Sequence, residues 1–347
     1  MNIVDQSFRR ELLPIPPGNT FIRLLTANTI ALVTKTRVID VAERLWPNDR
    51  IIERAASVPA MTSVVGWAAE LAQKLVYDAL DALGPASIGA QLLRQGLVLS
   101  MDGLGQVSCP GFVADQANAG FVVEGNPIPV RQMLVSNVTL LPYKLAAISV
   151  LTREMIESSN AERLIGDALM RSAGIALDTA LLDSTAATSA RPAGLRNGIV
   201  ALTPSASTDP FEQVFEDIAM LVNSISAVAG NGPHTLIAAP GRASMMRARF
   251  TSDVREDLSI LGSSAVGNDL LAVGPAALVS ALSPTPNIEA VSAGTIVMDT
   301  VPGAAGTTAS GEKSMFQTDS FAIKMRWPVS WVLRDARGVA WLTPTWK

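Results

Sequence analysis

The sequence predicts an α+β protein of more than one domain. Apolar residues recur at helical spacing over residues 62–83 and 158–183, while alternating, β-branched runs fill 97–150 and 316–342. The length of 347 residues, at ~150 residues per domain, points to roughly two domains and supplies ample chain for a large core.

The elements follow in order. Pro14, Pro16, Pro17 and Gly18 forbid regular structure, so residues 1–19 read as an extended arm. Asn19 or Thr20 caps a helix expected to run to about Trp46, with Pro47 stopping it. A second helix fits Thr62 to Leu83, with Val65, Ala68, Ala69, Ala72, Leu75, Val76, Ala79 and Leu83 on one face, and Gly84 closes it. Pro85 opens a short helix to about Gln95. From Gly96 the pattern changes. Phe121 to Val123, Val135 to Leu141 and Leu145 to Leu151 read as strands, so a long hairpin leads into a sheet. Ser158, Ser159 or Asn160 caps a long helix to about Asp183, with Leu164, Ala168, Ile175, Ala176, Thr179 and Leu182 as its stripe. Asp209 caps a helix from Pro210 to about Ala229. Thr235 to Ala239 is a short buried strand, and Pro240 begins a helix to about Phe250. Gly, Ser and Pro then fragment the chain as far as Ile296 to Met298, and residues 302–314 read as a loop. Phe316 to Arg326 and Val329 to Leu342 alternate as strands.

Composition narrows the function. Hydrophobic residues make up 48% and charged residues 17%, and the mean hydropathy is +0.31. A chain this apolar and charge-poor is expected to bury surface in an assembly. The 27 basic and 31 acidic residues give a net charge of −4, which is not the basic footprint of a nucleic-acid binder. Arg outnumbers Lys 21 to 6, which suits interface pairing and also fits a GC-rich coding bias. No stretch reaches the ~18 apolar residues of a membrane span; the longest, Leu270 to Leu282, is broken by Gly274 and Pro275. The N-terminus lacks the charge order of a signal peptide, so the chain reads as intracellular.

Catalytic motifs are scarce. One cysteine, Cys109, and one histidine, His234, exclude disulfide scaffolds and zinc fingers. His234 stands in a loop before a strand and reads as structural. No G-x-S-x-G occurs, and Ser310 with Lys313 matches S-x-x-K only inside a Gly/Thr/Ser loop. Gly103 and Gly105 begin a G-x-G, but Ser108 replaces the third glycine of a dinucleotide fingerprint. Asp253, Glu256 and Asp257 could hold only a hard cation and read as an exposed acidic face. Cys109 reads as a small buried or interfacial residue. Trp327, Trp331, Trp341 and Trp346 crowd the last 21 residues, as strand packing, interface anchors or a ligand box.

The order of the elements adds a resemblance. Ala119 to Gly125 is followed by Pro127 to Pro129, then Leu140-Leu141-Pro142-Tyr143-Lys144-Leu145-Ala146 and Val150-Leu151-Thr152-Arg153-Glu154-Met155. The long helix ends in Leu177-Asp178-Thr179-Ala180-Leu181-Leu182-Asp183, and Arg191-Pro192-Ala193-Gly194 follows. In this order and spacing, residues 112–195 resemble the tailed-bacteriophage major capsid protein family, the Hong-Kong-ninety-seven-type fold.

The resemblance implies the parts of the chain. Residues 1–100 would be an N-terminal helical arm, 101–139 an extension-loop hairpin reaching over a neighbouring subunit, and 140–195 a peripheral domain with a long spine helix. Residues 196–312 would be the axial domain, and 313–347 the return strands of the peripheral domain. Phe121, Glu124, Ile128, Arg131, Glu154, Arg163 and Arg171 are the assembly residues it implies on the extension loop and spine helix. It also implies a structural protein rather than an enzyme, with no cofactor and no metal. Pentamers and hexamers would build an icosahedral shell around non-specifically held double-stranded DNA. The further partners would be portal, scaffold or decoration proteins, with no membrane, and the location would be the virion capsid, assembled in the bacterial cytoplasm.

Some members weld the extension loop to a neighbour through a lysine isopeptide. Here no lysine lies between Lys74 and Lys144, and Ile128 stands near the expected place, so the shell is expected to be non-covalent. Some members lose an N-terminal segment, which this chain is read as retaining. An encapsulin-like or gene-transfer-agent shell protein is the rival of the same fold. A serine–lysine hydrolase using Ser310 and Lys313 is the rival of another class.

Overall fold

The computed structural model describes residues 20–34, 36–47, 76–81, 83–84, 86–101, 105–112, 124, 135–152, 154, 161–230, 232–250, 258–283, 286–292, 294–297 and 312–346. Helices α1 (Thr20–Thr34), α2 (Val38–Leu45) and α3 (Ile88–Gln95) precede strands β1 (Leu97–Ser100), β2 (Val107–Phe112), β3 (Val135–Leu140) and β4 (Tyr143–Thr152). Then come α4 (Ala161–Leu181), α5 (Pro210–Ala229), β5 (His234–Ala238), α6 (Pro240–Arg249) and β6 (Leu258–Gly262). The chain continues through β7 (Leu270–Val273), β8 (Leu278–Leu282), β9 (Asn287–Val291), β10 (Thr295–Val297) and β11 (Glu312–Ser314). It ends with β12 (Ser320–Leu333) and β13 (Val339–Leu342).

These elements form two compact units. The first draws on residues 1–83, 145–173 and 283–327. In it α1 and α2 pack through Ala27, Ile30, Ala31, Val41 and Ala42, and the Arg23 guanidinium stands 5.8 Å from the Trp46 ring centroid. One helix was expected here and two are found. The Thr34 hydroxyl turns back to the Ile30 carbonyl at 2.7 Å and also meets the Thr36 hydroxyl. Such local bonds compete with helical ones, and Arg37 takes extended backbone at φ −76°, ψ 144°. In the same unit the first half of β12 pairs antiparallel with β9, from Ala322 opposite Val291 to Arg326 opposite Asn287. Glu289 is bridged by Lys324, directly opposite at 2.6 Å, and by Arg326. The residues read as a loop up to 314 include a strand, because β11 pairs with β10 from Thr295 opposite Ser314. Phe316 was read as the start of a strand. It lies instead in a turn and is 82% exposed, because Ser320 N–H closes onto the Met315 carbonyl at 3.0 Å.

The second unit draws on 84–144, 174–282 and 328–347. Its four-stranded sheet has the order β13-β7-β5-β6, with β5 parallel to β6 and antiparallel to β7. Alternate residues Leu236, Ala238, Leu258, Ile260, Leu270, Ala272, Ala340 and Leu342 share one buried face, as the two-residue period requires. Val214, Ile218, Leu221 and Ile225 of α5 and Ala243 and Met246 of α6 complete that core. The caps of α5 follow the sequence: the Asp209 carboxylate accepts Phe211 N–H at 2.8 Å, Pro210 opens the helix, and Gly230 at φ +56° ends it. A second sheet pairs β1 parallel with β8, and β8 antiparallel with β12 from Val329 opposite Leu282.

Two expected boundaries move. Residues 316–326 and 329–342 were read as separate strands, yet β12 runs unbroken through Pro328. The β9 ladder ends at Arg326 and the β8 ladder begins at Val329, so the proline, which has no N–H, stands where no ladder bond is lost. The helix expected to open at Pro85 begins at Ile88, because the Ser87 hydroxyl accepts Ala90 N–H at 3.0 Å as its N-cap. The expected helix face at 62–83 lies outside the described residues as far as Leu75; beyond it Val76, Ala79 and Leu83 are buried. The expected strand at Phe121 to Val123 and the caps at 158–160 also lie outside them.

The stripe expected on α4 is corrected in part. Leu182 is buried as expected, but Ile175 is 60% exposed, and Ala176 and Thr179 are exposed, whereas Leu169, Met170, Ala173, Leu177, Asp178 and Leu181 are buried. α4 turns inward Leu169, Met170, Leu177 and Leu181 together with Gly174 and Asp178, and the start of α3 lies against Gly174. A Cβ on Gly174 would stand 3.1 Å from the Ala86 carbonyl oxygen.

The end of α4 shows why the Arg-Pro-Ala-Gly motif reads as it does. The last carbonyls of a helix need outside donors. Arg191 supplies one to Ala180 at 3.0 Å and Arg196 one to Leu182 at 2.9 Å, while Leu195 N–H closes on Leu181 at 2.8 Å. Gly194 lies so close that a Cβ would stand 2.1 Å from Asp183 Oδ1. Trp331 Nε1 then donates to the Ala193 carbonyl at 2.8 Å. Gly194→Ala is therefore expected to destabilise the chain by roughly 2 kcal/mol or more, since backbone must move. A thermal melt checks it, with a midpoint lower by several degrees.

Candidate assembly site

The antiparallel hairpin β2–β3 pairs from Val107 opposite Leu140 to Phe112 opposite Val135. Its root is held by a small apolar cluster of Met101, Cys109, Leu140, Val279 and Ala281. Cys109 is buried there, in agreement with the reading of a small buried residue. On the other face Ser108 and Thr139, directly opposite each other, are exposed. An isolated two-stranded hairpin is marginal in water, and the root of this one is seated on that cluster.

The implied assembly residues fall as follows. Phe121, Ile128 and Arg131 lie outside the described residues. Glu124 is exposed in a turn, and Glu154 is helical and exposed. Arg163 and Arg171 both lie on α4, and Arg171 is exposed. Large apolar side chains also face solvent: Ile175 on α4, Val200 at 86%, and Phe211 and Phe215 on α5 in the second unit, with Ile148 on β4 and Val291 on β9 in the first. The Arg249 guanidinium covers Phe211 at 4.4 Å, and Phe250 meets Phe215 edge-on at 5.5 Å between centroids.

Sequence reasoning missed the buried carboxylates of Asp178 and Asp217. Asp178 of α4 is 7% exposed and accepts four hydrogen bonds from neutral donors. Oδ1 takes the Ser87 hydroxyl at 2.5 Å and Gly89 N–H at 2.8 Å. Oδ2 takes Ile88 N–H at 3.2 Å and the Ser263 hydroxyl at 3.2 Å. Two of these donors are the orphan amides at the start of α3, where the helix dipole favours an anion. A depression of about 450 Å³ opens beside it, lined in part by Ser87, Gln91, Ile175, Thr179 and Ser263. Asp217 of α5, fully buried, accepts Ser205 N–H at 2.7 Å and Trp346 Nε1 at 2.8 Å. The available signal was an acidic residue on an otherwise apolar helical stripe, which needs partners if buried.

The tryptophans are placed by their indole N–H groups. Trp327 donates to the Ser283 carbonyl at 2.7 Å, Trp331 to Ala193, Trp341 to Ile199 at 2.9 Å, and Trp346 to Asp217. Each serves a separate acceptor, so they staple strands and loops and do not converge on one box. His234 opens β5 opposite Leu258. Lys313 lies on β11 opposite Ile296, while Ser310, Asp253, Glu256 and Asp257 lie outside the described residues. Among the described residues no group of three or more His, Cys, Asp or Glu side chains could hold a metal ion. Among them no helix is long and apolar enough to cross a membrane.

Four carboxylates are tuned by cations, and the hydrogen bond from Arg37 lowers Asp40. Burial alone would raise the Asp183 carboxyl, but hydrogen bonds from Arg191, at 2.7 Å, and from Thr185 outweigh it and hold the group below its ordinary range. The hydrogen bond from Arg337 lowers Asp335, and that from Lys324 lowers Glu289.

No family model matches the chain. Over 95% of its length it is 24% identical to a capsid polyprotein of Pseudomonas phage PAJU2, across 369 aligned residues. The chain spans 54% of that relative's length. A solved chain from Microbacterium phage Oxtober96 shares the fold at a TM-score of 0.50 and 15% identity, covering 75% of this chain and 91% of that one. The crystal structure of a virus-like particle from Pyrococcus furiosus aligns at a TM-score of 0.48 and 13% identity, over 79% and 99%. The mixed helix and sheet class read from the sequence is thus the class of the phage chain. The likeness to phage capsid proteins, first carried by residues 112–195, extends over nearly the whole sequence.

Trp346→Phe keeps the aromatic ring and removes the donor, leaving one Asp217 oxygen unpaired. The expected cost is ~1–3 kcal/mol in a urea titration. Acid sensitivity follows from Asp183. Its folded pKa lies below the unfolded one, so its ionisation stabilises the fold fully above ~4, and that contribution is lost as pH falls through the folded value. Asp183→Asn is expected to flatten the pH dependence of the thermal midpoint between about 5 and 3, measured against the unsubstituted chain.

Proposed function

We propose that this chain is the major capsid subunit of a tailed phage or prophage, assembling into pentamers and hexamers of an icosahedral shell around double-stranded DNA. The observation that carries the reading is the likeness across 95% of the chain to a phage capsid polyprotein. The chemistry supports it. Exposed Ile175, Val200, Phe211 and Phe215 are surface that association would bury. A two-stranded hairpin gains stability by lying on another copy. Closed point symmetry repeats one contact throughout a shell, so modest interfaces suffice. The net charge of −4 suits a container that does not grip the packed nucleic acid.

In this reading β2, β3 and the residues between them are the extension loop, and α4 is the spine helix. Residues 196–312 are the axial domain, and the C-terminal strands return to the peripheral domain. Phe121, Glu124, Ile128, Arg131, Glu154, Arg163 and Arg171 make contacts between subunits. The loop carries no lysine between Lys74 and Lys144, so these contacts are non-covalent. Portal, scaffold and decoration proteins are further partners, and assembly takes place in the host cytoplasm.

Electron microscopy with light scattering on the expressed chain tests the proposal. Closed or ribbon-like arrays of hexamers and pentamers are expected, and a small monodisperse oligomer that persists when scaffold is supplied counts against it. Deleting residues 106–136 is expected to leave a soluble subunit that no longer closes shells. Normal particles from that deletion would sink the extension-loop assignment.

A further inference from the structure

The root of the hairpin is set by a joint some distance from it in the chain. α3 leads through Gly96 into β1, which pairs with β8 from Leu97 opposite Val279 to Ser100 opposite Leu282. The chain then passes into β2, whose Cys109 packs with Val279 and Ala281 of the same β8. Where α3 is seated therefore helps decide where β1, and then the hairpin, begins.

The seat has three parts. Gly174 of α4 admits the backbone ahead of α3, since a Cβ there would stand 3.1 Å from the Ala86 carbonyl oxygen and 3.2 Å from Ser87 Cβ. Gly89 admits α4 in return, since its Cβ would stand 2.9 Å from Asp178 Oδ1 and 3.0 Å from a Leu181 methyl. Between them the Asp178 carboxylate gathers Ile88 N–H, Gly89 N–H and the Ser87 and Ser263 hydroxyls. Apolar packing alone is non-directional. Four hydrogen bonds to one planar group fix both position and angle. Burying a carboxylate among neutral donors is costly unless each oxygen is satisfied, so displacing α3 strands the charge.

We infer that Asp178 is a positioning residue for assembly: it seats α3 on α4 and, through β1, aims the hairpin. The consequence for shells rests on the capsid reading above; the seat itself does not. The test compares the unsubstituted chain with Asp178→Ala, Asp178→Asn and Gly174→Leu. Amide exchange is followed on the soluble subunit and particles are viewed by electron microscopy. For Asp178→Ala, amides of 88–90 and of the strands 107–112 and 135–140 are expected to exchange at least about tenfold faster. Leu236 and Ile237 of β5 should keep their protection, and closed shells should be lost. Asp178→Asn is expected to restore part of both, because its carbonyl oxygen still accepts from Ser87 and Gly89 while its NH2 faces the Ile88 N–H. Gly174→Leu blocks the seat with the carboxylate intact and is expected to reproduce the alanine pattern.

Unchanged hairpin exchange in Asp178→Ala would overturn the inference. So would uniform acceleration that includes β5, the mark of plain destabilisation, or normal shells built from a loosened hairpin. If the unsubstituted chain forms no shells even when scaffold is supplied, the capsid reading fails, and the exchange comparison still decides the joint.

Discussion

A buried carboxylate with no cation among its hydrogen-bond partners organises the second unit. Asp178 answers the need of α3 for acceptors at its first amides, and α3 answers the need of Asp178 for donors. Neither requirement can be met in water once the helices are packed, so the two are met together or not at all. The glycines at 89 and 174 make the approach close enough for bonds of 2.5 to 3.2 Å. Ser263 brings the segment after β6 to the same point. One side chain thereby sets three pieces of chain that lie far apart in sequence.

The same economy of polar groups recurs at the end of α4 and in the C-terminal strands. Arg191 and Arg196 each answer a backbone carbonyl and a carboxylate, Asp183 or Asp269, Arg191 through a single guanidinium nitrogen and Arg196 through two. The planar, multi-donor guanidinium can serve both; a lysine ammonium could not with the same geometry. The tryptophans behave alike: a large apolar body fills a gap, and the single N–H closes an orphan acceptor. A chain with 17% charged residues has few ions to spare, and those inside it carry structural duties.

What remains on the outside includes apolar side chains that association would bury. Exposed phenylalanines on α5, exposed Ile175 on α4 and a hairpin anchored at its root are awkward features for a solitary monomer. They become reasonable if association covers them, and the likeness to a phage capsid polyprotein points the same way. Cys109, Asp178 and Asp217 are all occupied in packing and hydrogen bonding.

The sequence by itself determined the local features and the resemblance. Asp209 and Pro210 opened α5 and its end was placed near Ala229, the alternation at 135–140 marked β3, and the ordered motifs of 112–195 pointed to phage capsid proteins. These signals act through the nearest few residues, so they survive without the fold. Tertiary structure alone decided which face of α4 turns inward, that Pro328 sits inside a continuous strand, and what the buried acids and tryptophans bond to. Those partners are 91 residues apart for Ser87 and Asp178, 129 for Trp346 and Asp217, and 138 for Trp331 and Ala193. Periodicity ranked Ile175 above Asp178 for burial, because hydropathy counts the cost of hiding a carboxylate but not the four donors that wait for it across the fold.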